Sequence, residues 1–349
     1  MTGSMLFAKT LTVAELGAWV EQIFLRAGFS AIQAAPMAQV IVAGERDACK
    51  SHGIYRIEGC LRTLKLGKVV PDAVPVLTRD DSAIVRADAK GGFANAAFDM
   101  AVPALAERAR DLGLAALVIN DCTHFSALWP EIETLTAQGL AAMAMCPSYA
   151  TVAPIGGTKP LLGTNPFAFG WPRGDQTPYV FDFATSVAAR GEVELHRRAG
   201  TQLPEGWAIG PDENPTTDPT EALAGALLPF GGHKGSAIST MIELLAGVMI
   251  GDMISPEALE FLGGITTVAP RHGELILAFC PEKFAGPKGA ATLNRAETLL
   301  EAIVGQGARL PSQRRFAARV RSAAEGIHLT AAEVVQLERL HDLGLEAVN

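Results

Sequence analysis

The stretch Cys49-Lys50-Ser51-His52-Gly53-Ile54-Tyr55-Arg56-Ile57 sets a histidine and an arginine four residues apart, with a serine directly before the histidine. Imidazole exchanges a proton near neutral pH, and the planar guanidinium fork matches a carboxylate. Together they are the minimal equipment for reducing or oxidising a carbon beside a carboxylate. A helix over Ile54 to Leu66 would put His52 at the end of the face that carries Arg56. Ser51 would then stand at the helix cap, where it either satisfies the first turn or orients the His52 ring. The same spacing also describes an ordinary helix start with a surface His and Arg, and spacing alone leaves both readings open.

Three further clusters carry polar groups of interest. Thr123-His124-Phe125-Ser126-Ala127-Leu128-Trp129 follows the apolar run Leu114 to Ile119, which reads as a buried strand. Ligands collect at the carboxyl ends of such strands, so His124 is either a satisfied structural histidine or part of a pocket walled by Phe125 and Trp129. Gly231-Gly232-His233-Lys234-Gly235-Ser236 superficially resembles a phosphate loop, but the order His-Lys-Gly-Ser is not that of a Walker A motif. With a helix beginning near Ser236, it is either an anion site suited to a dinucleotide phosphate or a tight turn before a core helix. Arg309-Leu310-Pro311-Ser312-Gln313-Arg314-Arg315 is the one compact basic patch, a solvated face or a phosphate clamp. No strand runs into Gly-x-Gly-x-x-Gly followed by an acid about twenty residues on, so an orthodox Rossmann site is not supported.

The elements that must position these residues alternate between helix and strand. Thr12 and Glu15 form a capping-box pattern before a helix closed by Gly28, and Ser30 with Gln33 repeats the signal for a second helix to about Asp47, with Pro36 in its first turns or kinking it. A third helix runs from just after His52 to Gly67. Strands are expected at Ala83 to Asp88, Leu114 to Ile119, Leu140 to Met145, Pro178 to Phe181 and Leu275 to Phe279. Helices are expected at Ala94 to Leu112 (with Pro103 inside), Glu131 to Gln138, Ala237 to Gly251 and Asn294 to Val304. Glu243, inside the apolar helix, must be partnered or face a subunit contact, because an unpaired buried carboxylate is costly. The fold class that follows is mixed α/β.

Composition narrows the partners. At 349 residues, two or more lobes are expected, and 49% hydrophobic against 19% charged residues excludes a disordered chain. A net charge of −8 argues against nucleic acid, whose phosphates call for a basic face. Five cysteines without a CxxC pair and seven histidines without HxxxH or HExxH suggest neither a disulfide framework nor a metal. Met1 to Ala8 lacks the pattern of an export signal, and Ala237 to Ile250 is shorter than the roughly 20 apolar residues of a membrane span, so a cytoplasmic address is expected.

Four motifs in order, Ser51-His52-Gly53-x-x-Arg56, Thr123-His124-Phe125, Gly163-Thr164-Asn165-Pro166 and Pro229-Phe230-Gly231-Gly232-His233-Lys234-Gly235-Ser236, resemble the type 2 malate/L-lactate dehydrogenase family of NAD(P)-dependent oxidoreductases. Thr123 to Pro130, Leu227 to Lys234 and Arg309 to Pro311 are similar to its imine-reducing branch, which converts Δ1-piperideine-2-carboxylate and Δ1-pyrroline-2-carboxylate to L-pipecolate and L-proline. The resemblance implies a non-Rossmann NAD(P)-binding domain over 119–284, a mainly helical domain over 1–118 with 285–349 packed on it, and a homodimer. It implies NADPH as cofactor, with NADH possible, and a cyclic imino acid as substrate. His52 would be the proton donor, Ser51 its relay partner, and Arg56 with Thr164 the carboxylate anchor. The cofactor would touch His124, Phe125, Ser126, Ala127, Leu128, Asp182, Phe183, Ala184, His233, Lys234 and the segment Arg309 to Arg315. Glu192 stands where the imine-reducing branch has an aspartate; a carboxylate there favours the iminium cation that accepts hydride. Two rivals remain: a dehydrogenase of 2-hydroxy acids such as malate, lactate or ureidoglycolate, and a catalytically silent binding protein that kept the pocket.

Overall fold

The computed structural model describes residues 7–348, so most of the Met1 to Ala8 segment lies outside the described residues. At its centre is a seven-stranded sheet in the order Val76–Arg79, Ile84–Asp88, Leu114–Thr123, Arg271–Phe279, Ala141–Met145, Phe167–Trp171, Tyr179–Phe183. Among the described strands of this sheet, only Ile84–Asp88 and Leu114–Thr123 pair in parallel. A parallel pair needs a crossover, and the helix Ala94–Leu112 supplies it, running unbroken through Pro103.

Both faces of the central strands are covered, which is why Leu114 to Ile119 is apolar without alternation. Leu117, Ile119, Ala142 and Ile276 pack with Leu105 of that crossover helix and Ile132 of the helix Trp129–Thr136. On the other face, Val118, Met145 and Leu275 meet Ile242 and Ala246. A separate core joins the two chain ends: Leu16, Ile23 and Phe24 pack with Met37, Ile41, Ile57, Leu61, Leu337 and Leu340. Lys9–Leu11 pairs antiparallel with Ile327–Leu329 beside it.

Several expectations are corrected. The domain boundary expected at 118/119 falls inside Leu114–Thr123, one ladder paired with Arg271–Phe279 from end to end. Not all of 285–349 packs on the N-terminal helices, because Glu297 in the helix Gly289–Gly305 is bound by Arg173, which follows a sheet strand, at 2.7 Å. Thr12 and Glu15 form the capping box, but Ser30 makes no side-chain cap. Gln33 is instead fully buried, accepting from the Phe93 amide and donating to the Ala73 carbonyl, both at 2.8 Å. A long-range use of the side chain outcompeted the local one. The apolar helix begins at His233, not near Ser236, and after Glu243 widens into a π-turn over Leu244–Val248. Among the described residues, no helix is long and apolar enough to cross a membrane.

Candidate active site

Glu45, buried on the helix Ala31–Arg46, shapes the Ser51-His52-Gly53 turn. It accepts the Ile54 amide at 2.9 Å and pairs with Lys50 at 2.5 Å, and Lys50 also reaches Glu333 at 3.1 Å. A Cβ on Gly53 would lie 1.9 Å from Glu45 Oε1, and one on Gly44 would lie 2.5 Å from the His52 carbonyl oxygen. This close approach excludes a continuous α-helix through the motif. Lys50–His52 and Ile54–Arg56 are separate 3-10 turns, and the α-helix starts only at Ile57. His52 and Arg56 are therefore coupled through the backbone: Arg56 Nε donates to the Ser51 carbonyl at 2.7 Å, while Ser51 Oγ stands 3.1 Å from His52 Nδ1. The His52 ring meets Trp129 edge-on at 6.0 Å. Burial, reinforced by the Arg56 charge, pulls the imidazole down to about 3, so it is neutral at pH 7.

Ser51, His52 and Arg56 open onto a cavity of about 1170 Å3, which Thr164 and Glu192 also line. Thr164 is fixed by a polar knot beneath it: Thr185 donates to its carbonyl from both amide and hydroxyl, at 2.8 and 3.1 Å. The next residue, Asn165, in a left-handed conformation, donates to Glu243 at 2.7 Å and to Ser239 Oγ at 2.9 Å. Ser255 completes the knot by donating to Glu243 from its hydroxyl at 2.5 Å and its amide at 2.9 Å. Glu243 is thus partnered within its own chain. Glu192 lies in the first turn of the helix Arg190–Ala199, where a Cβ on the preceding Gly191 would be 3.5 Å from both Ser51 Cβ and Arg56 Nη2.

His124, Phe125, Ser126, Ala127, Asp182, Phe183, Ala184, Ser312, Arg314 and Arg315 line the same cavity. Seven expected cofactor contacts do not. Leu128 is fully buried in the sheet core, His233, Lys234, Arg309 and Gln313 are exposed, Leu310 is buried, and Pro311 is half-buried away from the cavity. The loop before His233 approaches the cavity wall through Leu228, whose carbonyl accepts the Val187 amide at 2.8 Å, and through Phe230, whose ring packs 5.5 Å from that of Phe183. Asp182 has a structural task, accepting the Leu128 and Trp129 amides at 2.8 and 3.0 Å at the start of the helix Trp129–Thr136. Burial raises its carboxyl to about 6. Arg315 is not a free cation either. It is buried, bonded to Asp47 at 3.1 Å and Glu133 at 2.6 Å, and stacked 4.8 Å from Trp129. Arg314, beside it, is exposed.

With this geometry in hand, a model of the malate/L-lactate dehydrogenase family matches residues 11–338. The chain belongs to the malate/L-lactate dehydrogenase family. Within it, the chain is 70% identical over 341 residues (97% of this chain, 99% of the relative) to a protein of Agrobacterium fabrum named Δ1-pyrroline-2-carboxylate reductase. It is 52% identical over 322 residues (92% and 96%) to a Δ1-pyrroline-2-carboxylate/Δ1-piperideine-2-carboxylate reductase of Pseudomonas aeruginosa. The crystal structure of Δ1-piperideine-2-carboxylate reductase from Pseudomonas syringae superimposes with a TM-score of 0.89 at 41% identity, over 95% of this chain and 99% of that one.

This member of the malate/L-lactate dehydrogenase family also gathers groups that no spacing announced. Behind His124, the carboxyls of Glu131 and Glu274 are buried without a hydrogen-bond partner. They come from a helix and from the central strand, elements far apart in sequence, so only the fold unites them. Tyr55 was likewise missed; its ring lies between the guanidinium groups of Arg56 and Arg198, at 5.6 and 4.9 Å.

Proposed function

We propose that this protein reduces the C=N bond of cyclic 2-imino acids, Δ1-pyrroline-2-carboxylate and Δ1-piperideine-2-carboxylate, to L-proline and L-pipecolate, with NADPH preferred and NADH accepted. The observation that carries this reading is a neutral imidazole and a tethered guanidinium that line a single cavity together with Glu192. The names borne by the relatives point to the same chemistry. A dinucleotide fits the residues present: pockets for small ligands span roughly 300–1,000 Å3, and a cavity of about 1170 Å3 has room for more than a small acid. NADPH, when bound, supplies the hydride.

The chain's own residues do the rest. Arg56 keeps Nε on the Ser51 carbonyl and so presents its two Nη groups as a fork for the substrate carboxylate, with Thr164 beside it. A carboxylate seated there cancels the charge that helps hold His52 neutral, and Glu192 adds a second negative charge. The imidazole then takes up a proton and, with Ser51 at its Nδ1, passes it to the imine nitrogen, which leaves the C=N carbon electron-poor enough to accept hydride. His124, Phe125, Ser126, Ala127, Phe183, Ala184, Ser312 and Arg314 form the cofactor end of the cavity. The domain reading that goes with this is a sheet-centred, non-Rossmann cofactor domain and a helical domain from both chain ends, working as a homodimer in the cytoplasm.

A spectrophotometric panel tests it. NADPH oxidation is expected with both cyclic imines and not with pyruvate or oxaloacetate. Turnover of the keto acids alone would assign a 2-hydroxyacid dehydrogenase, and no turnover of any substrate would leave a binding protein.

A further inference from the structure

His124, Glu131 and Glu274 form a closed polar cluster behind the cavity wall, with 4%, 2% and 0% of their surfaces exposed. His124 Nε2 and all four carboxyl oxygens lack a hydrogen-bond partner, and ligand atoms of the three residues lie within 4.8 Å of one another. The two carboxyls face each other within bonding reach, and His124 Nε2 lies 3.8 Å from Glu274 Oε2. The ladder bulges just beside Glu274, where Asn120 and Asp121 of the neighbouring strand stand opposite the single Gly273, and a Cβ on Gly273 would lie 2.4 Å from Ile250 Cδ1. Bulges re-aim side chains in this way beside functional sites.

The charges around the cluster do not neutralise it. Cys122 lies on the neighbouring strand, and Cys146 Sγ stands 3.9 Å from His124 Nδ1. His272 presents a ring 5.7 Å from that of His124, with its own Nδ1 on the Gly273 carbonyl. Asp182 and Asp99 add negative charge from the edge strand and the crossover helix, and His52 and Arg56 act on His124 from the cavity side. Neither acid pairs with a lysine or arginine among the described residues. Two buried carboxylates in contact cannot both be ionised without a proton or a cation between them.

We propose that Glu131 and Glu274 share one proton, Glu131 donating to the Glu274 carboxylate, and that this carboxylate holds the His124 ring in place at the cofactor end of the cavity. Both acids are positioning residues. The assignment rests on the reading of His124 as a cofactor contact.

The test measures NADPH affinity by fluorescence titration against pH, for the wild-type full-length protein and its variants. Wild-type affinity is expected to fall as acid adds the second proton, because Glu274 then loses the negative charge that faces His124 Nε2. Glu274→Gln is expected to bind roughly tenfold more weakly, on the order of one charged polar contact, and to lose that acid limb. Glu131→Ala is expected to weaken binding, and Glu131→Gln, whose amide still donates, to recover most of it. Infrared spectra of the wild-type protein, independent of any variant's folding, are expected to show a buried protonated carboxyl at mildly alkaline pH. Unchanged affinity and pH profile in Glu274→Gln, no such carboxyl band, or stoichiometric zinc after purification with the metal would each overturn the proposal. Failure to reduce any cyclic imine would sink the functional reading instead, since binding and infrared measurements do not depend on turnover.

Discussion

Glu45 Oε1 occupies the space in which a side chain on Gly53 would begin, 1.9 Å from where its Cβ would stand. The carboxylate that leaves no room there also receives the Ile54 amide and anchors Lys50, so the motif is held by a residue outside it. Gly53→Ala is expected to displace the turn, lowering thermal stability by about 1–3 kcal/mol, as overpacking does, and lowering kcat more than it raises NADPH Kd. Calorimetry alongside steady-state kinetics checks both parts; a variant with wild-type stability and kcat would show that the turn tolerates the methyl group.

His52→Ala is expected to leave NADPH binding intact while cutting kcat by roughly 10²–10⁴-fold, the usual contribution of a positioned acid or base. Fluorescence titration and initial rates separate the two effects. A variant that still turns over at the wild-type rate would remove His52 from the mechanism.

Arg56→Lys tests the fork. Lysine cannot donate to the Ser51 carbonyl and still offer two parallel donors, so the KM for the imino acid is expected to rise on the order of 100-fold with little change in NADPH affinity. Kinetics with both ring sizes measure this.

The arginines at 314 and 315 are expected to behave in opposite ways. Arg315→Ala leaves Asp47 and Glu133 facing each other with Arg319 as their remaining link, and is expected to cost about 3–5 kcal/mol, as breaking a buried pair does. Arg314→Ala, at an exposed position, is expected to stay within about 0.5 kcal/mol of wild type and to weaken NADPH binding relative to NADH. Denaturant melts and a two-cofactor comparison decide between the roles.

Stability should fall on the alkaline side of neutrality. Burial raises Asp182 to about 6 and Glu274 to about 7, and pushes Glu131 well up. The folded protein therefore holds these protons more tightly than the unfolded chain, a stabilisation complete below the ordinary carboxylate range and lost as pH rises through the folded values. His52, His124 and His272 are depressed and act in the reverse sense, but their contribution is complete above 6.5, where the unfolded rings are neutral too. Asp182 has lost its proton by then, so Tm is expected to drop as pH rises past about 6.5 through the value near 7 of Glu274, with Glu131 extending the fall. Scanning calorimetry in matched buffers measures this, and Glu274→Gln should reduce the slope.

Local pattern was enough for what is settled within a few turns of chain. The Thr12 cap, the strand Ile84–Asp88, the apolar run to Ile119 and the alternation of helix and strand all follow from periodicity and capping. His52 and Arg56 could be singled out from their types and spacing, and the family followed from four motifs together, while Thr164 and Glu192 entered only through that resemblance. Tertiary structure decided which polar groups are free. Gln33 looks like a cap in one dimension, yet its side chain satisfies the Phe93 amide, and Asp182 accepts the Leu128 and Trp129 amides while still lining the cavity. Arg315 looks like half of an anion clamp until Asp47 and Glu133 arrive from two other helices. A side chain's hydrogen-bonding capacity is finite, and the partners that exhaust it are chosen by packing, at sequence separations that no spacing rule spans.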